Sequence, residues 1–361
     1  MGNDLSTVDV LRFRDRDSPV TPDGLIFRTF GYDHPKESCF CDLEYASEDV
    51  YETDDPKALR DGLPTKYYKF YLDGGLKFAS CRIPPYKILH SPLGRMMVGV
   101  RAEQLSSVTR PDERLKELLD SEGDPLIEAA REVIDTIVDA SNLAIRDFGV
   151  FGSLAHGFHN PNYSDIDLVV YGIRELEELR STLVNLYEEG ALRNEFDSWT
   201  PSDPPHHWNF TEYSKEEYGI YQRRKLIFAI YNSEGLGRPV NVELEPVRRW
   251  EEIQDEYEET ERIEELGRVE ATGEVISGDE GGFLPSIYPV RLNKINRDMD
   301  AREVVRVVSF VREFRLQFEG WEKAIIRGNL ERVTLRNEEF HQITLSYSPG
   351  YFDQVLKVDT R

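Results

Sequence analysis

Cysteine is scarce: the 361 residues hold only Cys39, Cys41 and Cys81. Three cysteines cannot all pair, and Cys39-x-Cys41 is not a zinc spacing, so neither a disulfide scaffold nor a zinc motif is indicated. A reducing, cytoplasmic setting is the expectation. Long apolar runs are missing too; none approaches the roughly 20 residues of a membrane helix. The first residues, MGNDLSTVDVLRFRDRD, are charged and have no apolar h-region, so no secretory signal and no membrane partner are expected. Internal repeats and low-complexity tracts are absent. Lysine is the last shortage: the 44 basic residues are 32 Arg and 12 Lys, against 68 acids.

What is present is a globular composition. Hydrophobic residues make up 39% and aromatics 11%, too much for a disordered acidic chain. The length suits two or three domains. The formal charge of −24 argues against a broad phosphate-binding surface, which needs local positive potential. High acid with little lysine is similar to the composition of proteins from salt-loving archaea, where acid maintains solubility. Local charge is therefore more informative than the total.

Residues 1–108 are expected to form a β-rich domain, because segments such as 24–30 and 66–72 mix aromatic and branched residues with Gly, Pro and Asp. Residues 45–64 read as a polar loop. A core at 109–266 follows. Pro111 opens one helix near 111–121, and Leu126, Ala130, Val133, Ile134, Ile137 and Val138 give a second, 124–141, its apolar stripe. Strands are expected at 148–151, 166–171 and 240–245, with helices at 174–189 and at 214–231 behind a Ser214 cap. The order is that of an α/β domain. The nine acids of 251–265 suggest a solvated helix. Residues 267–361 return to short strands and suggest a small β-barrel.

The chemistry concentrates in Phe151-Gly152-Ser153-Leu154-Ala155-His156-Gly157 and in Asp165-Ile166-Asp167-Leu168-Val169-Val170. A strand ending in Gly-Ser before a helix lets backbone N–H groups and the Ser153 hydroxyl cradle phosphate oxygens. Asp165 and Asp167 alternate along a strand, so both carboxylates share one face. Two such hard oxygen donors suit Mg²⁺, which binds carboxylates together with substrate phosphates. Taken singly, Gly-Ser is often a capped turn and Asp-x-Asp a solvated edge. Together they are a motif.

That motif resembles the DNA polymerase β-type nucleotidyltransferase superfamily, matched here at Gly152, Ser153, Asp165 and Asp167 across roughly 147–246. The resemblance implies a mixed-sheet transferase core and an α+β or α/β fold overall. It implies nucleotide binding, ATP included, through Gly152, Ser153 and His156, the last standing where related enzymes often carry a basic residue. It implies two Mg²⁺ ions, with Mn²⁺ as a substitute. It also implies a third metal and catalytic carboxylate on a neighbouring strand. Glu243 is the expected one; Glu245 shares its face, and the superfamily's usual residue is Asp. The opening Arg14-Asp15-Arg16-Asp17 and Gly31-Tyr32-Asp33-His34-Pro35 are similar to archaeal nucleotidyltransferase-domain proteins, in which a β-rich module precedes the core and a small β-domain follows it.

The implied activity moves a nucleoside monophosphate from a triphosphate to a hydroxyl, with pyrophosphate release. Residues 302–336 hold eight basic residues, five acids and the aromatics Phe310, Phe314, Phe318 and Trp321. An OB-like barrel with such a groove can bind single strands, which suggests an RNA or DNA acceptor. The competing readings are a degenerate nucleotide- or RNA-binding protein and a transferase acting on a small molecule or protein. His156, His159, His206-His207 and the Arg223-Arg224-Lys225 cluster are weaker candidates for contacts.

Overall fold

A computed structural model describes residues 11–62, 64–197, 210–254, 256–347 and 350–359. The chain is a mixed α/β protein with three sheets. The first is a curled antiparallel sheet of β1 (Ser18–Val20), β2 (Leu25–Thr29), β3 (Ser38–Ser47), β4 (Leu59–Arg60), β5 (Tyr67–Lys69), β6 (Lys87–His90), β7 (Arg95–Arg101) and β8 (Ser107–Thr109). A helix not expected from the sequence, α1 (Gly74–Arg82), packs on β3. Gly75 permits that contact, because a side chain there would overlap the Leu43 backbone. β3 is the spine, ten residues long and buried throughout.

The middle region begins with α2 (Pro111–Leu119) and α3 (Pro125–Asp139). Asp124 caps α3 by accepting from the backbone N–H groups of Leu126 and Ile127, and Pro125 sits in the first turn, where no N–H is needed. The apolar stripe of α3 is buried as its spacing predicts: Leu126, Ala130, Val133, Ile134 and Ile137 all join the main core. Each of the leucine, isoleucine and valine side chains contributes roughly 1.5–3 kcal/mol. Then come β9 (Phe148–Val150), α4 (Gly152–His156), β10 (Ile166–Tyr171), α5 (Ile173–Glu189), β11 (Arg193–Asn194), α6 (Lys215–Lys225), β12 (Phe228–Ser233) and β13 (Arg238–Val247). The strand order is β11-β12-β13-β10-β9. Only β10 and β13 pair in parallel.

Ser214 does cap α6, accepting from Glu217 N–H. The helix stops at Lys225, however, rather than at 231. Ile227, Phe228, Ala229 and Ile230 are needed as a strand beside β13, and that pairing overrides the helical spacing.

The third sheet contains β14 (Thr260–Val275), β15 (Ser286–Ile295), β16 (Val304–Ser309), β17 (Glu322–Leu335), β18 (Glu339–Leu345) and β19 (Val355–Val358). It is mixed, in the order β14-β15-β16-β18-β17-β19, with a further β14–β17 pairing that runs the hydrogen bonding round in a ring. β16 and β18 are parallel. The acidic 251–265 segment is not a helix: it holds a short turn at Trp250–Glu252 and then the start of β14. β14 pairs along nearly its whole length with β17, and those backbone bonds outweigh the helix preference of its glutamates. No helix among the described residues is long and apolar enough to cross a membrane.

Candidate active site

β9 ends against β10 with Phe151 N–H donating to Asp167 C=O at 3.0 Å. The chain then turns through Gly152 at φ +65°, and a side chain at this position would overlap the Asp167 carboxylate. Glycine is therefore required twice, for the left-handed backbone and for the close approach. Ser153, Leu154 and Ala155 are buried behind the turn. The loop returning to β10 is fastened by Arg238, which donates to Pro161 O at 3.0 Å and Ser164 O at 2.7 Å. That anchor fixes Asp165 at the head of β10.

Period two puts Asp165 and Asp167 on one face, and the register sets Asp167 opposite Glu243 on parallel β13. Asp165 has its outer edge open to solvent. Surrounding protein still raises its pKa, while Arg238, Lys69 and Arg60 pull it down. Asp167 is half-buried, and burial pushes its carboxyl up to about 7; Lys69 opposes the rise, and Asp165 and Glu44 add to it. Glu243 is likewise raised to about 7 by burial, with Glu245 and Asp167 repelling it and Arg312 opposing. A fourth acid, Glu195, just beyond β11, is raised to about 7 by burial and by Glu243 and Asp165. It carries no sequence signal, because it follows a two-residue strand outside any apolar period.

Glu243 is not left bare. Arg312, from the turn between β16 and β17, donates to its Oε1 at 2.7 Å. The same guanidinium reaches Glu245 at 2.9 Å. Glu245 has no exposed surface and also binds Arg16 at 2.7 Å and Arg315 at 2.6 Å. These guanidiniums hold Glu245 well below the usual carboxylate range despite its burial. Among the described residues no three His, Cys, Asp or Glu side chains converge closely enough to hold a metal ion. Asp165 and Asp167 remain a donor pair whose crowding a dication would relieve. Glu243, opposite Asp167, is held by Arg312.

His156 closes the short helix. Its ring lies 5.9 Å from Tyr45 and stacks at 5.5 Å on Phe158. Burial lowers its pKa to about 4, so it is neutral at pH 7, and its Nε2 has no hydrogen-bond partner. It is therefore no cation for a triphosphate, though its free ring nitrogen can take part in a hydrogen bond. His159 is structural, bound to the cap residue Asp124 at 2.8 Å. His206 and His207 lie outside the described residues.

The basic cluster on α6 is committed elsewhere. Arg223 binds Phe196 O and Asp197, Arg224 binds Glu322, and the buried Lys225 donates to Glu313 O at 3.0 Å. The expected groove at 302–336 is also largely committed. Phe314 and Phe318 are core residues, and Phe310 stacks on Phe30 of the first region at 5.8 Å. Arg302, Arg306, Arg312, Arg315, Arg327 and Arg332 all sit in ion pairs. Interleaved charge in the sequence has become ion pairing in the fold. Trp321 is not committed in this way: it is 64% exposed, with Arg291 over its ring.

Residues 131–263 match the family model of the nucleotidyltransferase domain, and this region, with its Gly-Ser turn and Asp-x-Asp strand, is a polymerase β-like nucleotidyltransferase domain. The whole chain, flanking sheets included, is similar to an uncharacterized protein of Methanocaldococcus jannaschii, 28% identical over 355 residues, covering 96% of this chain and 99% of that one. No solved structure matches.

Proposed function

We propose that the protein transfers a nucleoside monophosphate from a triphosphate to a hydroxyl and releases pyrophosphate. The observation that carries this reading is the register: Asp165 and Asp167 on β10, with Glu243 directly opposite on β13, all beside the Gly152–Ser153 turn. Asp165 and Asp167 would hold Mg²⁺, with Mn²⁺ as a substitute and Glu243 as the third ligand. The bound metal would lower the pKa of the attacking hydroxyl and neutralise charge on the leaving pyrophosphate. Gly152 lets the Asp167 carboxylate lie directly against the turn. Ser153 and the neutral His156 offer hydrogen bonds there. Glu195 adds a further acid beside Asp165 and Glu243.

For the acceptor we infer a nucleic-acid hydroxyl. The ring order β14-β15-β16-β18-β17, with only β16 and β18 parallel, supports an OB-like barrel, and such folds take single strands. Exposed Trp321 with Arg291 supplies a stacking surface. A second reading is favoured by one observation: the hold of Arg312 on Glu243 is what a catalytically silent nucleotide-binding protein would keep.

The test is incubation with each labelled NTP, Mg²⁺ or Mn²⁺, and pooled RNA, DNA, small-molecule and protein acceptors, following pyrophosphate release. Turnover that disappears in Asp167→Ala, with an unchanged melting curve, supports the transferase. Binding without turnover supports the silent protein. Turnover retained by Asp167→Ala sinks the site assignment.

A further inference from the structure

The wall facing the Gly-Ser turn does not come from residues 131–263. It comes from the first sheet. Lys69 on β5 pairs directly with Tyr45 on β3, and side chains opposed in this way stand on the same face. That face is turned toward the turn, because the Tyr45 ring lies 4.9 Å from Phe158 and 5.9 Å from His156. Tyr67, two residues before Lys69, confirms the orientation at 5.4 Å from Phe158.

A β-bulge brings a further residue to this wall. Ile26 pairs with Tyr45 and Phe27 with Leu43, so Glu44 is an extra residue in β3. A bulge re-aims a side chain, and Glu44, 8% exposed, comes within 3.9 Å of the Lys69 ammonium. No hydrogen bond from that ammonium is present among the described residues; its other neighbours are the rings of Tyr45 and Tyr71 at 5.8 and 5.9 Å. The fully buried Tyr45 hydroxyl and Arg60 Nε lack partners too. Buried donors are ordinarily satisfied. The Tyr45 hydroxyl and Arg60 Nε thus lack acceptors, although Arg60 Nη1 is bound to Lys57 O and Leu59 O. The part-exposed Lys69 ammonium has Glu44 beyond hydrogen-bond distance. On one wall beside the Gly-Ser turn, these groups offer a place for a polyanion. The field of Lys69 already reaches both Asp165 and Asp167.

We propose that Lys69, assisted by Arg60 and the Tyr45 hydroxyl, binds the phosphates of the nucleoside triphosphate, so that the transfer site is built from two regions of the chain and not from the nucleotidyltransferase domain alone. Glu44 positions the ammonium. This rests on the transferase reading and adds to it a phosphate ligand from outside the matched domain.

The experiment is equilibrium binding of each labelled ribonucleoside triphosphate to the full chain with Mg²⁺, with inorganic tripolyphosphate as competitor. Lys69→Ala is expected to weaken triphosphate binding roughly 10- to 100-fold, the worth of a charge-assisted contact. The loss should be the same factor for every base bound, and tripolyphosphate should compete correspondingly less well. Lys69→Arg should recover most of the affinity, and Lys66→Ala, exposed on the approach to β5, should bind like the parent. Lys69→Ala also leaves the buried Glu44 without this cation, so its melting point should fall somewhat, whereas Lys69→Arg and Lys66→Ala should overlay the parent. Binding is measured well below every midpoint. Equal triphosphate affinity in the parent and Lys69→Ala overturns the proposal while leaving the transferase reading in place. A parent that binds no triphosphate defeats the transferase reading, and this proposal with it.

Discussion

Glu243 and Glu245 lie two residues apart on one face of β13 and meet opposite fates. Around Glu243, at the mouth of the site, carboxylates crowd one another: Asp167 and Glu195 are also raised to about 7. Around Glu245, at the root, guanidiniums are in excess: Arg16, Arg312 and Arg315 converge on one carboxylate. The mouth holds surplus negative charge and the root surplus positive charge. The chemistry open to an acid is set by the charges around it more than by its strand position.

The largest effect should come from breaking the root. Glu245→Ala leaves Arg315, 2% exposed, without its counter-ion and Arg16, 1% exposed, with only the more distant Asp15 at 3.8 Å. Losing one partner of a buried ion pair costs about 3–5 kcal/mol, so urea unfolding should show a large fall in stability, or no folded protein. At the mouth the sign reverses. Asp167→Asn removes a repelled carboxylate and should raise stability by roughly 1–2 kcal/mol at pH 8 while abolishing turnover. The folded pKa of about 7 lies above the unfolded value near 4. Ionisation therefore destabilises the parent progressively as pH rises from about 4 to 7. The advantage of Asp167→Asn should be full above pH 7 and vanish toward pH 4, as melts across that range would reveal.

Arg312 bridges the two regions, and Arg312→Ala should separate them. Stability should fall by about 1–2 kcal/mol through the loss to Glu245, while Mn²⁺ titration should show metal bound a few-fold more tightly as Glu243 is released. The smallest effect is linkage. Mg²⁺ at tenfold above its Kd should stabilise the parent by about 1.4 kcal/mol. The Asp165→Asn/Asp167→Asn double variant should not respond, and equal stabilisation of both would place the ion elsewhere.

The mouth was partly legible in sequence. Gly152, Ser153, Asp165 and Asp167 are close in the chain, and the strand period of 166–171 fixes their common face. The resemblance called for an acid on a neighbouring strand, and the alternation of 240–245 set Glu243 and Glu245 on one face, apart from Val240, Val242 and Leu244. The root was not legible. Its guanidiniums come from positions 16, 312 and 315, and nothing local marks an arginine as buried. The same limit concealed the delivery of Lys69 by β5 and the bulge at Glu44. Misread elements share a cause as well. The acids of 251–265 and the apolar residues of 227–230 fit helical spacing locally, and long-range strand pairing with β17 and β13 decided otherwise.

The root has a consequence for how the chain can be divided. Arg16 precedes the first sheet, Glu245 belongs to the middle one, and Arg315 follows β16. One carboxylate thus joins the three parts of the polypeptide. Expressed alone, the segment 131–263 would lack all three guanidiniums that Glu245 binds. Moving this segment into another protein would require the recipient to bring its own arginines.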